Sequence, residues 1–308
     1  MSQFAMVFPG QGSQNLGMLA ALAGAYPLVG RTFREASDVL GYDLWQLVQQ
    51  GPAEELNKTW QTQPALLAAS VAVFRVWQQQ NGAMPAMMAG HSLGEYSALV
   101  CAGSLNFADG IKLVELRGRL MQEAVPEGTG AMQAIIGLED TIVIEACEQA
   151  AQGEIVCAVN FNSPGQVVIA GNKEAVLRAG EVCRAAGATR VLSLPVSVPS
   201  HSPLMKPAAE KLTPVLEKIS FAEPIVPVVN NVDVCCQTDA AAIRSALVRQ
   251  LYSPVRWTEC VRFMTAQGVS TLLEAGPGKV LTGLSKRIVR TLSAAAVNDP
   301  DSLITSLR

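Results

Sequence analysis

Ser92 lies at the centre of Gly90-His91-Ser92-Leu93-Gly94, a Gly-x-Ser-x-Gly pattern. Small residues two positions before and after a serine allow a sharp turn between a strand and a helix, and that turn exposes the hydroxyl. A serine nucleophile also needs a base to take its proton, and histidine is the usual base. The pattern therefore indicates chemistry on an acyl group through an acyl-serine.

The choice of base is narrow, because the chain contains only two histidines, His91 and His201. His91 adjoins Ser92 on the predicted turn and is expected to point away from it. His201 precedes Ser202-Pro203, a pair that is typical of a helix start. We therefore predict His201 as the base, with a surface or packed histidine as the alternative.

Two backbone amides are candidates for an oxyanion hole. The amide of Leu93 directly follows the nucleophile, which is the expected position of the first donor. The second could come from Gln11, in the glycine-rich turn at residues 9–14 that follows an apolar strand. That turn lacks the residues that a dinucleotide-binding fingerprint or a P-loop needs.

Arg117 is the residue that indicates which acyl group is bound. Its neighbours three and four positions away on the predicted helix 107–123 are all apolar: Leu113, Val114, Leu120 and Met121. A buried guanidinium needs an anionic partner, and its planar fork suits a carboxylate. We predict an acyl group with a free carboxylate; the alternatives are a structural ion pair or a stem that reaches water.

The order of predicted elements indicates an α/β fold. Strand-then-helix units, including 86–89 before the serine, predict a parallel sheet in a large domain formed by residues 1–126 and 202–308. Residues 131–194 have the pattern βαββαβ, which predicts a small ferredoxin-like insertion at 127–201. A site is expected in the cleft between the two parts.

Composition excludes several other classes of protein. The chain has 308 residues, of which 49% are hydrophobic, and a net charge of −3, which argues against binding to nucleic acid. It lacks a signal-peptide pattern and an apolar run that could span a membrane, so a soluble, cytoplasmic protein is expected. Its seven cysteines include no Cys-x-x-Cys pair, so neither a metal site nor a disulfide framework is expected.

Several blocks in the chain together resemble the malonyl-CoA:acyl carrier protein transacylase family of fatty acid synthesis. The resemblance extends along nearly the whole chain and rests on motifs at residues 8–14, 61–65, 90–95, 117–119, 160–166, 199–202 and 274–278. It implies a hydrolase-like large domain that carries the serine turn, with the ferredoxin-like insertion described above.

The resemblance also assigns roles at the reacting atoms. It implies that Ser92 carries the acyl ester and that His201 is the general base and acid. The main-chain carbonyl of Gln250 would orient His201, which accounts for the absence of a marked acid.

For the substrate, the resemblance implies that Arg117 holds the malonyl carboxylate and that the amides of Gln11 and Leu93 form the oxyanion hole. Met121 and Ser200 are predicted as further substrate-binding residues. At the position of Ser200, related polyketide synthase domains commonly have an aromatic residue when they select malonyl groups and serine when they select methylmalonyl groups. Stand-alone bacterial transacylases use malonyl groups with serine at that position, so the predicted substrate stays malonyl.

The implied reaction is a ping-pong transfer of malonyl from malonyl-CoA to the phosphopantetheine thiol of acyl carrier protein, without a cofactor or metal. These two molecules are the expected partners of a monomeric enzyme. Two alternatives stay open: a serine esterase or thioesterase, and a non-catalytic subunit that binds the carrier protein.

Overall fold

The computed structural model describes residues 3–196 and 198–308, which form two sheets with helices packed against them. The strands are β1 (Gln3–Phe8), β2 (Met87–Gly90), β3 (Gly130–Ile136), β4 (Val156–Ser163), β5 (Gln166–Asn172), β6 (Arg190–Ser193), β7 (Val228–Val229), β8 (Val269–Ala275) and β9 (Ser293–Val297). The helices are α1 (Ala20–Ala25), α2 (Leu28–Leu40), α3 (Leu44–Gln50), α4 (Ala53–Leu56), α5 (Thr59–Gln79), α6 (Gly94–Cys101), α7 (Phe107–Glu123), α8 (Asp140–Ala151), α9 (Lys173–Ala185), α10 (Lys206–Lys218), α11 (Ala240–Gln250), α12 (Trp257–Ala266), α13 (Val280–Ile288) and α14 (Pro300–Leu307), with a 3-10 turn at Pro203–Met205.

The larger sheet is parallel and has the strand order β7-β2-β1-β8-β9. Alternate residues of β1 pack into different apolar clusters: Met6 and Phe8 into one, Ala5 and Val7 into the other. Burial of both faces explains why the inner strands β1 and β2 are runs of apolar residues rather than alternating patterns. The predicted α/β fold with a parallel sheet is confirmed.

The smaller sheet is antiparallel, with the order β4-β5-β3-β6. Apolar residues of α8 and α9 pack with one face of this sheet in a separate core. Backbone hydrogen bonds also join it to the rest of the chain: the Val255 N–H donates to Val159 O (2.8 Å), and the Phe161 N–H donates to Val255 O (3.0 Å). The smaller sheet is therefore joined, through β4, to the segment between α11 and α12, next to the predicted cleft.

Two predicted element boundaries need correction. The apolar run at residues 225–229 predicts a further strand of the parallel sheet, but only β7 forms there, because Pro227 has no N–H to donate and Ile225 is 71% exposed. The helix expected directly after His201 begins as the 3-10 turn, and α10 starts only at Lys206. Helix α7 has the predicted bounds.

Close packing at the end of β2 determines the conformation of Ser92. A Cβ on Gly90 would lie 1.8 Å from the backbone carbon of Gly94, and a Cβ on Gly94 would lie 2.1 Å from Phe8 O. Between these glycines Ser92 adopts φ +52°, in the left-handed region. Both glycines are therefore required by the approach of α6 to the sheet.

Gly94→Ala should destabilise the protein by about 3 kcal/mol or more, because its new methyl group meets backbone that cannot move aside. Chemical denaturation measures this loss. The matched control is Gly283→Ala in α13, where no atom lies within 4 Å of the added Cβ. This control should be neutral or stabilising by up to about 1 kcal/mol. Equal stability of the two variants would contradict the packing argument.

Candidate active site

Ser92 and His201 form the centre of the site. Ser92 Oγ lies 2.7 Å from His201 Nε2, and His201 Nδ1 lies 2.7 Å from the main-chain oxygen of Gln250. A carbonyl oxygen only accepts hydrogen bonds, so Nδ1 carries the proton and Nε2 is free to accept from the serine. The pair is arranged for proton transfer from Ser92 to His201.

The end of α11 explains why a carbonyl can occupy the place of an acid. The helix ends at Gln250, and the last carbonyls of a helix have no partner within it. The main-chain oxygen of Gln250 is therefore free to accept from His201 Nδ1. The backbone N–H of His201 donates to Leu251 O at 3.0 Å. The negative end of the helix dipole also favours an imidazolium at this position.

The imidazole is neutral in the resting site. Burial, and then the nearby charge of Arg117, lower the pKa of His201 from 6.5 to about 3. Both causes disfavour the protonated ring. His201 is therefore ready to act as a base at neutral pH.

Arg117 is 1% exposed, although it carries a charge. Its Nη1 donates to Gln63 Oε1 (2.8 Å), while its Nη2 donates to Gln250 Oε1 (3.0 Å) and Ser92 Oγ (3.2 Å). Within residues 3–196 and 198–308, no carboxylate lies within 4.0 Å of the guanidinium, and Nε has no hydrogen-bond partner. Arg117 therefore neither forms a structural ion pair in these residues nor reaches water, so neither alternative to a substrate-binding role fits.

A cavity of about 320 Å³ opens onto Ser92, His201 and Arg117. The other predicted substrate-binding residues, Gln11, Leu93, Met121 and Ser200, also line it. Gln250 lies behind the cavity wall, in contact with His201 and Arg117. The structure thus brings together all the residues predicted for the site.

The side-chain amide of Asn231 holds the serine turn, a role that no sequence motif indicated. Asn231 Nδ2 donates to Gly90 O (2.8 Å), and Asn231 Oδ1 accepts from the Ser92 N–H (2.7 Å). Asn231 follows β7, the strand next to β2, and the carboxyl ends of parallel strands share one edge of a sheet. That topological rule is the signal that could have identified it.

Gln63 and Glu95 also belong to the site, although the sequence offered no role for either. Gln63 belongs to the motif at residues 61–65 and contacts Arg117, while Glu95 follows the serine turn and contacts Gln250. His91 points elsewhere: its Nε2 lies 2.8 Å from Asn162 Oδ1 of β4. It therefore ties the serine turn to the smaller sheet instead of serving Ser92.

The part of the chain that the structure describes shows neither a cluster of metal ligands nor a membrane-spanning helix. There, no group of three or more His, Cys, Asp and Glu residues is placed to hold a metal ion. No helix in that part is both long and apolar enough to cross a membrane. The seven cysteines are free thiols, and four of them are buried: Cys101, Cys147, Cys183 and Cys260.

Inactivation of Ser92 by an uncharged fluorophosphonate should change by less than about twofold between about pH 8 and about pH 5, because His201 stays neutral. A base with the ordinary pKa of 6.5 would lose about 30-fold over that range. The rate constant of inactivation measures this, with circular dichroism to check folding. Arg117→Ala should move the midpoint of the pH dependence of the inactivation rate to higher pH, because it removes a charge that lowers the pKa of His201. A midpoint near pH 6.5 in the unmutated protein would contradict the prediction.

Comparison with known proteins agrees with this geometry. The family model "Acyl transferase domain" matches residues 5–303. The malonyl CoA-acyl carrier protein transacylase of Salmonella typhimurium is 71% identical over 307 residues, which cover 100% of this chain and 99% of that protein. The protein of the same name from Escherichia coli K12 is 70% identical with the same coverage.

Solved structures are similar over the same length. One match is a chain of the solved structure described as a type II PKS acyl-carrier protein in complex with its malonyl-transacylase. It has TM-score 0.99 and 72% identity, over 99% of both chains. An acyl carrier protein S-malonyltransferase from Vibrio cholerae matches with TM-score 0.97 and 67% identity, again over 99% of both chains. The chain is therefore an acyltransferase of the acyl transferase domain family, and within it belongs to the malonyl CoA-acyl carrier protein transacylases.

Proposed function

We propose that this protein transfers a malonyl group from malonyl-CoA to the phosphopantetheine thiol of acyl carrier protein, through an ester on Ser92, for fatty acid synthesis. The observation that carries the proposal is the buried Arg117 guanidinium, 3.2 Å from Ser92 Oγ, without a carboxylate partner in the described residues. Burial of a charge without a directly paired counter-charge is costly. A carboxylate on the acyl group would supply the missing partner.

The length of the malonyl group supports this substrate. Its carboxylate is separated from the reacting carbonyl carbon by a single methylene group. Because Arg117 Nη2 already lies within hydrogen-bond distance of Ser92 Oγ, the acyl carbonyl and the carboxylate can be held at the same time. A bidentate contact of guanidinium and carboxylate would also fix the orientation of the acyl group.

In the first half-reaction, Ser92 Oγ attacks the thioester carbonyl carbon while His201 Nε2 takes its proton. The negative charge on the carbonyl oxygen would be met by the N–H groups of Gln11 and Leu93. The intermediate then collapses: the carbon–sulfur bond breaks, and the proton on His201 passes to the departing sulfur of coenzyme A. Malonyl stays on Ser92 as an ester.

The second half-reaction repeats these steps with the carrier thiol. His201 takes the thiol proton, the sulfur attacks the ester carbonyl, and the proton returns to Ser92 Oγ as the ester bond breaks. In both halves the Gln250 carbonyl would stabilise the imidazolium through its hydrogen bond to Nδ1. Met121 and Ser200 would form part of the wall around the acyl group.

We also propose a hydrolase-like large domain of residues 1–126 and 202–308 and a ferredoxin-like insertion at 127–201. The serine turn on the parallel sheet supports the first assignment. The order β3-α8-β4-β5-α9-β6 and the antiparallel strand order β4-β5-β3-β6 support the second. A cytoplasmic location and a monomeric state stay predictions.

Incubation with malonyl-CoA alone should leave malonyl on the Ser92 peptide, detected by mass spectrometry, and holo acyl carrier protein should then remove it. Ser92→Ala should carry no adduct. Rapid release of free malonate without a carrier thiol would favour the esterase or thioesterase. Carrier binding that survives Ser92→Ala, with no turnover in the unmutated protein, would favour the non-catalytic subunit.

Arg117→Ala should lower kcat/KM for loading of malonyl from malonyl-CoA by at least about 100-fold, and that for acetyl loading by less than about threefold. Only the malonyl group loses a charged partner. The matched control is Arg119→Ala on the same helix, because Arg119 is exposed and pairs with Glu115. This control should leave the ratio of malonyl to acetyl loading unchanged. Equal losses of kcat/KM for both acyl groups in Arg117→Ala would indicate that Arg117 has a structural role instead.

A further inference from the structure

A buried carboxylate beside the site has no part in the reaction steps given above. Glu95, in the first turn of α6, is 2% exposed, and in the described residues no cationic side chain lies within 4.0 Å of it. Its Oε2 accepts from Gln250 Nε2 (2.7 Å) and from the Asn231 N–H (3.0 Å). Glu95 thus contacts two groups that hold the site, but neither Ser92 Oγ nor His201.

We infer that Glu95 is a positioning residue for malonyl transfer: it fixes the orientation of the Gln250 side-chain amide, which in turn fixes the Arg117 guanidinium beside Ser92. The inference rests on the function proposed above, because it concerns the residue that would hold the malonyl carboxylate. Glu95 acts through Gln250 and Arg117 and touches no substrate.

The hydrogen bonds of Gln250 carry this argument. Its Nε2 donates to Glu95 Oε2 and to Ser92 O (3.1 Å), and its Oε1 accepts from Arg117 Nη2. A carboxylate and a carbonyl can only accept, and a guanidinium can only donate. A flipped amide would turn its oxygen toward the Glu95 carboxylate, so that two acceptors face each other, and its nitrogen toward Arg117, so that two donors face each other. Glu95 therefore favours the one orientation that presents an oxygen to Arg117.

Glu95 is itself held by the elements around the serine turn. Asn231 donates to it from the backbone, and the Asn231 side chain bonds to Gly90 O and the Ser92 N–H. The turn, Glu95, Gln250 and Arg117 are thus consecutive members of one buried network. Such networks respond as a unit when a member is removed.

Burial raises the pKa of Glu95 to about 7, against the lowering effects of its two hydrogen bonds and of Arg117. The other titratable groups that interact with it are Tyr96, Asp233 and Cys260. Whether ionised or protonated on Oε1, the residue can keep Oε2 as an acceptor. The role assigned to it is therefore one of hydrogen-bond geometry.

The test compares malonyl and acetyl loading of Ser92 in Glu95 variants. Glu95→Ala removes the acceptor and should lower kcat/KM for malonyl loading relative to acetyl loading by about tenfold. Glu95→Gln should restore the ratio to within about threefold, because the Asn231 N–H selects the amide oxygen for the place of Oε2. If Glu95→Ala does not fold, Glu95→Asp takes its place, since a carboxylate one methylene shorter falls short of Gln250 and should lower the ratio likewise.

A double-mutant cycle separates this role from a structural one. In an Arg117→Ala background, Glu95→Ala should cause no further loss of malonyl loading beyond its effect on acetyl loading, because both act on the same contact. Glu274→Ala is the matched control: Glu274 is equally buried but caps α13 through Leu281 and Thr282. Any loss in this control should be equal for both acyl groups.

Three results would overturn the inference while the proposed function stands: an unchanged ratio in Glu95→Ala, no restoration by Glu95→Gln, or a further selective loss in the Arg117→Ala background. In each case the unmutated protein still loads malonyl on Ser92. A failure of the unmutated protein to load malonyl would instead overturn the proposed function, and the inference with it.

Discussion

The site depends on one physical constraint, the burial of the Arg117 charge without a carboxylate partner in the described residues. A guanidinium in this position must donate to neutral groups, and the amide oxygens of Gln63 and Gln250 supply two of them. Its charge also contributes to the low pKa of His201, which keeps the base neutral. A single buried cation thus prepares both the proton transfer and, in our proposal, the binding of an anionic acyl group.

The fold brings these groups together at the ends of its elements. Ser92 follows β2, Asn231 follows β7, and Gln250 is the last residue of α11, so each has backbone groups that no strand or helix uses. Hydrogen bonds between these ends replace the missing partners. The site therefore uses hydrogen-bonding capacity that the ends of regular elements leave unpaired.

The sequence predicted much of this arrangement, but only where residue type carries the information. Ser92 and Arg117 could be identified from local patterns, and His201 from the scarcity of histidines. The Gln250 carbonyl has no such signature, because every residue has a main-chain carbonyl. Its role could be predicted only from the family resemblance. Glu95 and Asn231 act through contacts between distant segments, which spacing along a chain does not report. The short β7 has a different cause, because the proline at position 227 is visible in the sequence and has no N–H to donate to a neighbouring strand.

We propose above all that the acyl group on Ser92 carries a carboxylate that pairs with Arg117. The most direct test is a crystal structure of the protein trapped with malonyl on Ser92. We expect both carboxylate oxygens within hydrogen-bond distance of the Arg117 guanidinium, and the ester carbonyl oxygen at the amides of Gln11 and Leu93. A malonyl-serine whose carboxylate points away from Arg117, with the guanidinium still bonded as in the free protein, would contradict it.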